Sequence, residues 1–192
     1  MAVLATMEIP GGTPADYDRV NEILGIGPDS TLPGLISHTA ASTGDGLVIA
    51  DVWESREAFE QFFAGKDVGA AMQHAGVTPG QVRFGDVHNM IPRGSGKNAN
   101  VLVLIESPEF TSDLYDQVTA KMPAHMLEGG HPGVSHVAAT LDDGGMMFVD
   151  VWDSPESFGQ FAEKEIGGAA QGTDMPPLEP RFAQIHNRMT PG

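Results

Sequence analysis

The chain of 192 residues contains no cysteine. That single absence removes disulfides, thiolate metal centres and cysteine nucleophiles, and it suits a reducing compartment. Cations are scarce as well: 10 Lys and Arg stand against 26 Asp and Glu, for a net charge of −16. Nucleic acid and anionic membrane surfaces need clustered positive charge, so neither is an expected partner, and the acidity reads as solubility. No apolar run approaches the ~20 residues of a membrane span. The opening run Ala2–Met7 reads as a strand rather than a signal peptide, so the expected location is the cytoplasm. Motifs with fixed chemistry are missing too. No G-x-S-x-G elbow is found, and Gly11-Gly12 and Gly129-Gly130 lack the flanking pattern and Lys of a phosphate loop. His38, His88 and Asp51 have the right ligand types for a metal, but no short motif such as H-E-x-x-H fixes them, and no metal is expected.

What the chain does have is a repeat. Residues 51–63 read DVWESREAFEQFF and residues 150–162 read DVWDSPESFGQFA. Around them Tyr17-Asp18 matches Tyr115-Asp116, Ser37-His38 matches Ser135-His136, and His88-Asn89 matches His186-Asn187. Most pairs lie about 98 apart, too long a period for a solenoid, whose repeats run roughly 20–50 residues. Each half spells strand–helix–strand–strand–helix–strand. Thr13 offers an N-cap and Pro14 a first helical position, with Tyr17, Val20, Ile23 and Leu24 at helical spacing, which predicts a helix over 14–24. Ser55 and Ser154 cap the second helix of each half, and a short helix over 68–75 follows in the first. In the second half the pattern predicts helices over 112–126 and 155–164. The sequence therefore predicts repeats at 1–91 and 99–192 joined by a linker at 92–98.

A βαββαβ unit folds as a four-stranded antiparallel sheet with both helices on one face. The expected fold class is α+β: two ferredoxin-like repeats whose bare sheet faces cover each other. The expected assembly is a monomer that is internally a pseudo-dimer, with further homodimerisation left open.

Strand alternation sorts the candidate chemistry. Leu47, Ile49, Asp51 and Trp53 share one face, as do Phe148, Asp150 and Trp152. A carboxylate central in a strand is costly to bury alone, and it recurs in both halves. Two readings stand: Asp51 and Asp150 orient a histidine or a substrate, or they pair with Arg83 and Arg181 for structure. His38 and His136 lie on the second strand of each half, with His88 and His186 on the fourth, where Phe84, Asp86 and His88 are expected to face one way. Histidine titrates near neutrality and serves as base or shuttle, or simply holds the fold. Tyr17 and Tyr115 either bond a substrate oxygen or pack on the sheet with the hydroxyl at the rim.

The opening strand ending Met-Glu-Ile-Pro-Gly-Gly, the hairpin entering Asp51-Val52-Trp53-Glu54-Ser55 and the following Glu57-Ala58-Phe59 resemble antibiotic-biosynthesis-monooxygenase-like members of the dimeric α/β-barrel superfamily, here in tandem. The resemblance implies an intramolecular dimeric α/β barrel. It also implies an oxidoreductase: a cofactor-independent, monooxygenase-like enzyme acting on a small aromatic or polyketide-type substrate. In that reading His38 and His136 act as base or anion stabiliser, and Asp51 and Asp150 as orienting acids. Trp53, Trp152, Tyr17, Tyr115, His88 and His186 contact the substrate. The alternative is a non-catalytic small-molecule-binding or scaffold protein of the same fold. A third reading, haem binding and degradation, rests on His74, which sits where haem-degrading members carry the proximal ligand. The Asn and Trp that accompany that ligand are replaced by Ala5 and Phe62.

Overall fold

The computed structural model describes residues 1–27, 30–127 and 129–190. The first repeat contributes β1 (Val3–Pro10), α1 (Pro14–Leu24), β2 (Leu35–Ser42), β3 (Gly46–Trp53), α2 (Arg56–Lys66), α3 (Val68–His74) and β4 (Val82–Ile91). The second contributes β5 (Val101–Ser107), α4 (Ser112–Thr119), β6 (Ser135–Leu141), β7 (Met146–Trp152), α5 (Pro155–Phe161), the short α6 (Gly167–Ala169) and β8 (Arg181–Met189). The helix bounds follow local chemistry. Thr13 and Asp16 form a reciprocal capping box ahead of Pro14, and Gly25 closes α1 in the left-handed conformation at φ 64°. Ser55 and Ser154 cap α2 and α5 by accepting from the amides of Ala58 and Ser157. The helix expected over 112–126 stops at Thr119. Pro123 follows, which cannot continue a helix, and a separate 3-10 turn spans Ala124–Leu127. The helix expected over 155–164 gives way at Ala162 to a π-type turn spanning Ala162–Ile166.

The sequence repeats and the compact units do not coincide. One unit comprises Met1–Phe84 with Ala183–Gly192, and the other comprises Gly85–Phe182. The fourth strand is exchanged. The first unit carries the order β1-β3-β2-β8 and the second the order β5-β7-β6-β4. The segment 92–98, expected as a linker, is tied down within the second unit. The amides of Gly94, Ser95 and Gly96 donate to the carbonyls of Val134, His131 and Gly133 at 2.7–3.1 Å.

Each unit has its own core on the helix side of its sheet. Met7, Ile9, Leu47, Ile49 and Met72 pack under Tyr17 in the first unit, and Val103, Ile105, Met146 and Phe148 under Tyr115 in the second. Both tryptophans are about 1% exposed and pack at a tilt on α2 or α5 phenylalanines: Trp53 on Phe62 at 5.2 Å and Trp152 on Phe161 at 5.3 Å. Among the described residues no helix is long and apolar enough to cross a membrane.

Candidate active site

Register creates the site. In the first unit His38 on β2 stands directly opposite Asp51 on β3, and in the second His136 on β6 stands opposite Asp150 on β7. Directly opposed residues project to the same face with their Cβ atoms roughly 5 Å apart, close enough for an imidazole to reach a carboxylate. The Nδ1–H of His38 donates to Asp51 Oδ1 at 2.7 Å, and that of His136 donates to Asp150 Oδ1 at 2.6 Å. An ionised carboxylate only accepts, so this bond fixes the tautomer and leaves Nε2 bare. From the helix above, Tyr17 donates its hydroxyl hydrogen to His38 Nε2 at 2.7 Å, and Tyr115 donates to His136 Nε2 at 3.0 Å. The same Tyr–His–Asp chain is thus built twice from matching positions. The tyrosine and histidine rings stack, with centroids 5.7 and 6.0 Å apart.

Both aspartates are buried, at 7% and 5% exposure. Their histidine partners offset the cost of hiding the charge. Burial pushes each tyrosine hydroxyl up to about 12, with the nearby aspartates adding to the effect and an amide opposing it. That amide is Asn21 in the first unit and Asn89 in the second, where Asn89 Nδ2 donates to the Tyr115 hydroxyl at 2.8 Å. Both phenols therefore keep their protons at neutral pH.

Each chain of groups borders an apolar cavity between sheet and helices. The first, about 90 Å³, is lined by Tyr17, His38, Asp51 and Trp53 with Met7 and Phe62 among its apolar walls. The second, about 70 Å³, is lined by Tyr115, His136 and Asp150 with Phe148, Phe161 and Met122 among its walls. Trp152 stands behind that wall, packed on the ring of His131 at 5.5 Å. Both volumes are below the ~150 Å³ of a cavity that admits benzene. A one-ring ligand therefore needs small shifts of flexible walls such as Met7, Met72 and Met122, and a fused polyketide needs a large rearrangement.

His186 and His88 sit outside the cavities. Each is the extra residue of a β-bulge, where Asn187 and Ile185 face Ala40 and Ala41, and Val87 and Asn89 face Ala139 and Ala138. The bulge breaks the simple alternation expected for the fourth strand and turns the histidine toward α1 or α4. His186 Nε2 meets Asp18 at 2.8 Å and His88 Nε2 meets Asp116 at 2.7 Å, both at the surface. Their rings lie edge-on to Tyr17 and Tyr115 at 5.6 and 5.5 Å. Because β8 and β4 are exchanged, each tyrosine takes its outer histidine from the other sequence repeat.

His131 escaped the sequence reading. It is 4% exposed, borders the second cavity and lies 5.5 Å from the His136 ring. Its Nδ1 accepts from the Gly133 amide at 3.1 Å. Desolvation first, and the His136 charge second, push it down to about 4. A signal was available: the histidine stands before Pro-Gly where the first repeat has Leu32 before Pro-Gly.

His74 ends α3, is exposed, and is not among the residues lining the first cavity. A haem is far larger than the first cavity of about 90 Å³, so that cavity does not fit the group. Among the described residues no cluster of three or more His, Cys, Asp or Glu side chains is arranged to hold a metal ion.

No protein-family model matches the chain, and no curated protein matches it by sequence. Solved structures do match its fold. A provisionally named monooxygenase from Fusobacterium nucleatum superposes with a TM-score of 0.72 at 14% identity, covering 100% of this chain and 95% of that one. A ferredoxin-fold protein from Listeria monocytogenes, described as related to antibiotic biosynthesis monooxygenases, gives 0.54 at 13% identity over 97% and 96%. The fold is that of the dimeric α/β-barrel type. A chlorite dismutase mutant from Candidatus Nitrospira defluvii also matches, at 0.57 and 13% identity over 96% and 91%. One fold thus carries differently named activities, and identities this low establish the architecture without the chemistry.

Proposed function

We propose that each unit is an acid–base site for a small, electron-rich aromatic substrate, used in cofactor-independent, monooxygenase-like chemistry. The observation that carries this reading is the duplicated Tyr–His–Asp chain at the edge of an apolar cavity. The substrate loses a proton to His38 or His136, and Asp51 or Asp150 balances the imidazolium that forms. The tyrosine stands between cavity and histidine and sets the order of events. A free tyrosinate at neutral pH, with the phenol at about 12, costs about 7 kcal/mol. The phenol therefore passes its proton to Nε2 in the same step as it receives one from the substrate, or swings aside. The apolar walls exclude water around the anion. Oxygen is the oxidant and the substrate the only reductant: a phenol with a free ring C–H plus O₂ gives a quinone plus water, with four electrons leaving the ring and four entering oxygen.

A second reading, a non-catalytic small-molecule binder, is favoured by one observation. The chain is complete without a ligand, since every hydrogen bond of the imidazole is already made. Oxygen uptake with single-ring phenols and dihydroxyarenes separates the two. The catalytic reading expects turnover that drops by roughly 10²-fold or more in a His38→Gln/His136→Gln double variant. Binding of these compounds with no uptake above the protein-free rate leaves the binder.

A further inference from the structure

The two cavities share the Tyr–His–Asp chain and differ in several apolar wall residues, and at one position an aliphatic side chain is exchanged for an imidazole. Leu32-Pro33-Gly34 and His131-Pro132-Gly133 are equivalent, 99 residues apart (131 − 32), while Ser37 and Ser135 are 98 apart. Ile36 takes up the difference as the extra residue of the irregularity between Leu35 and Ser37. Leu32 and His131 are both buried, at 8% and 4% exposure, and both line the cavity of their own unit. Leu32 shares a core cluster with Trp53, and His131 packs against Trp152. What differs is chemistry: one wall is aliphatic, and the other carries an imidazole beside the proton acceptor His136.

The state of that imidazole is fixed by its surroundings. The Gly133 amide donates to Nδ1, so the neutral ring carries its hydrogen on Nε2 and is a donor there. Gly133 allows this geometry. A Cβ at that position would come within 2.9 Å of His131 Cε1 and 3.0 Å of Trp152 Cε2. Burial and His136 keep the ring uncharged, so it does not compete for the proton that His136 takes.

We propose that His131 is a specificity-determining residue: its Nε2–H makes the second cavity the more selective for ligands that present a hydrogen-bond-accepting oxygen, whereas Leu32 gives the first no such donor. The proposal rests on the reading of both cavities as aryl sites and adds that they have diverged. A neutral donor next to a developing phenolate stabilises it without supplying a second cation beside His136.

The test uses the full chain, fluorine NMR and two probes of equal shape, para-fluorophenol and para-fluorotoluene. Bound resonances are assigned to each cavity by the shifts that Tyr17→Phe and Tyr115→Phe cause. In the wild type the second cavity is expected to bind the phenol about tenfold more tightly than the first, the worth of one neutral hydrogen bond. His131→Leu should remove that advantage and leave para-fluorotoluene binding unchanged, and Leu32→His should confer it on the first cavity. Phenol affinity unmoved by both substitutions overturns the proposal while leaving the aryl-site reading intact. Equal losses for both probes in His131→Leu also overturn it, since they point to shape alone. If His131→Leu does not fold, Leu32→His decides by itself. Binding of neither probe to either cavity sinks the aryl-site reading and the proposal with it.

Discussion

Replacing His131 by leucine, the residue the first unit carries at that place, has a stability effect whose sign depends on pH. At neutral pH the variant leaves the Gly133 amide without the Nδ1 acceptor it now meets at 3.1 Å. An unpaired buried donor costs about 1–3 kcal/mol, partly offset by the apolar side chain. Below neutrality the balance shifts. In the unfolded chain the histidine takes a proton near its ordinary value of about 6.5, whereas in the folded chain burial holds it down to about 4. The folded value is the depressed one, so the unfolded state binds more protons between the two. Wild-type stability is therefore full above about 6.5 and falls as pH drops toward 4. The ring is 4% exposed, so solvent screening does not erode the effect. Holding the ring at about 4 against an ordinary value of about 6.5 corresponds to about 3 kcal/mol. Leucine does not titrate. Urea unfolding of both proteins across this range is expected to show the wild type more stable at neutral pH and the gap closing or reversing near pH 4. A difference that stays flat with pH refutes the reasoning, because it means the imidazole is protonated in the folded state or meets solvent.

Three further outcomes follow from the same geometry. Tyr17 and Tyr115 are raised to about 12 by burial, so the unfolded chain ionises first, and stability present below about pH 10 is lost as pH rises toward 12, by up to about 3 kcal/mol per phenol. Tyr17→Phe and Tyr115→Phe should flatten that alkaline loss in urea melts, and a spectrophotometric titration should find no tyrosine ionising near 10. Asp51→Asn and Asp150→Asn remove the charge that balances the imidazolium, so kcat for oxygen uptake should fall by about 10²-fold with KM little changed; equal rates would assign these carboxylates to structure. The outer pairs His88–Asp116 and His186–Asp18 have half-exposed or exposed partners, so double-mutant cycles on stability should give under about 1 kcal/mol each, shrinking with added salt.

Much of this was legible before the structure. The repeat fixed the βαββαβ order twice, and Thr13, Pro14 and the helical spacing through Leu24 bounded α1 at the residues observed. Alternation on β3 put Asp51 beside Trp53 on the face that does line the first cavity. What alternation within one strand cannot give is register between two. That Asp51 meets His38 depends on β2 pairing with β3 at one offset, and a slip of one residue would send the two side chains to opposite faces. The exchange of β4 and β8 was hidden for a related reason: local sequence says that a strand exists but not which sheet accepts it. The bulges at His88 and His186 leave no mark on an alternating pattern. His131 was missed because it lies in a loop before Pro-Gly, where polar residues are ordinary, and only the packing reveals that it is buried.

The central claim is that a bound phenol gives its proton to Nε2 of His38 and His136 while Nδ1 stays bonded to aspartate. Nitrogen NMR of the histidine rings, recorded at neutral pH with and without para-nitrophenol, reads this directly. The account predicts two rings with Nδ1 protonated and Nε2 bare in the free protein, and protonated Nε2 on binding. Rings already protonated at Nε2 when free, or unchanged by a phenol shown to occupy the cavities, would contradict it.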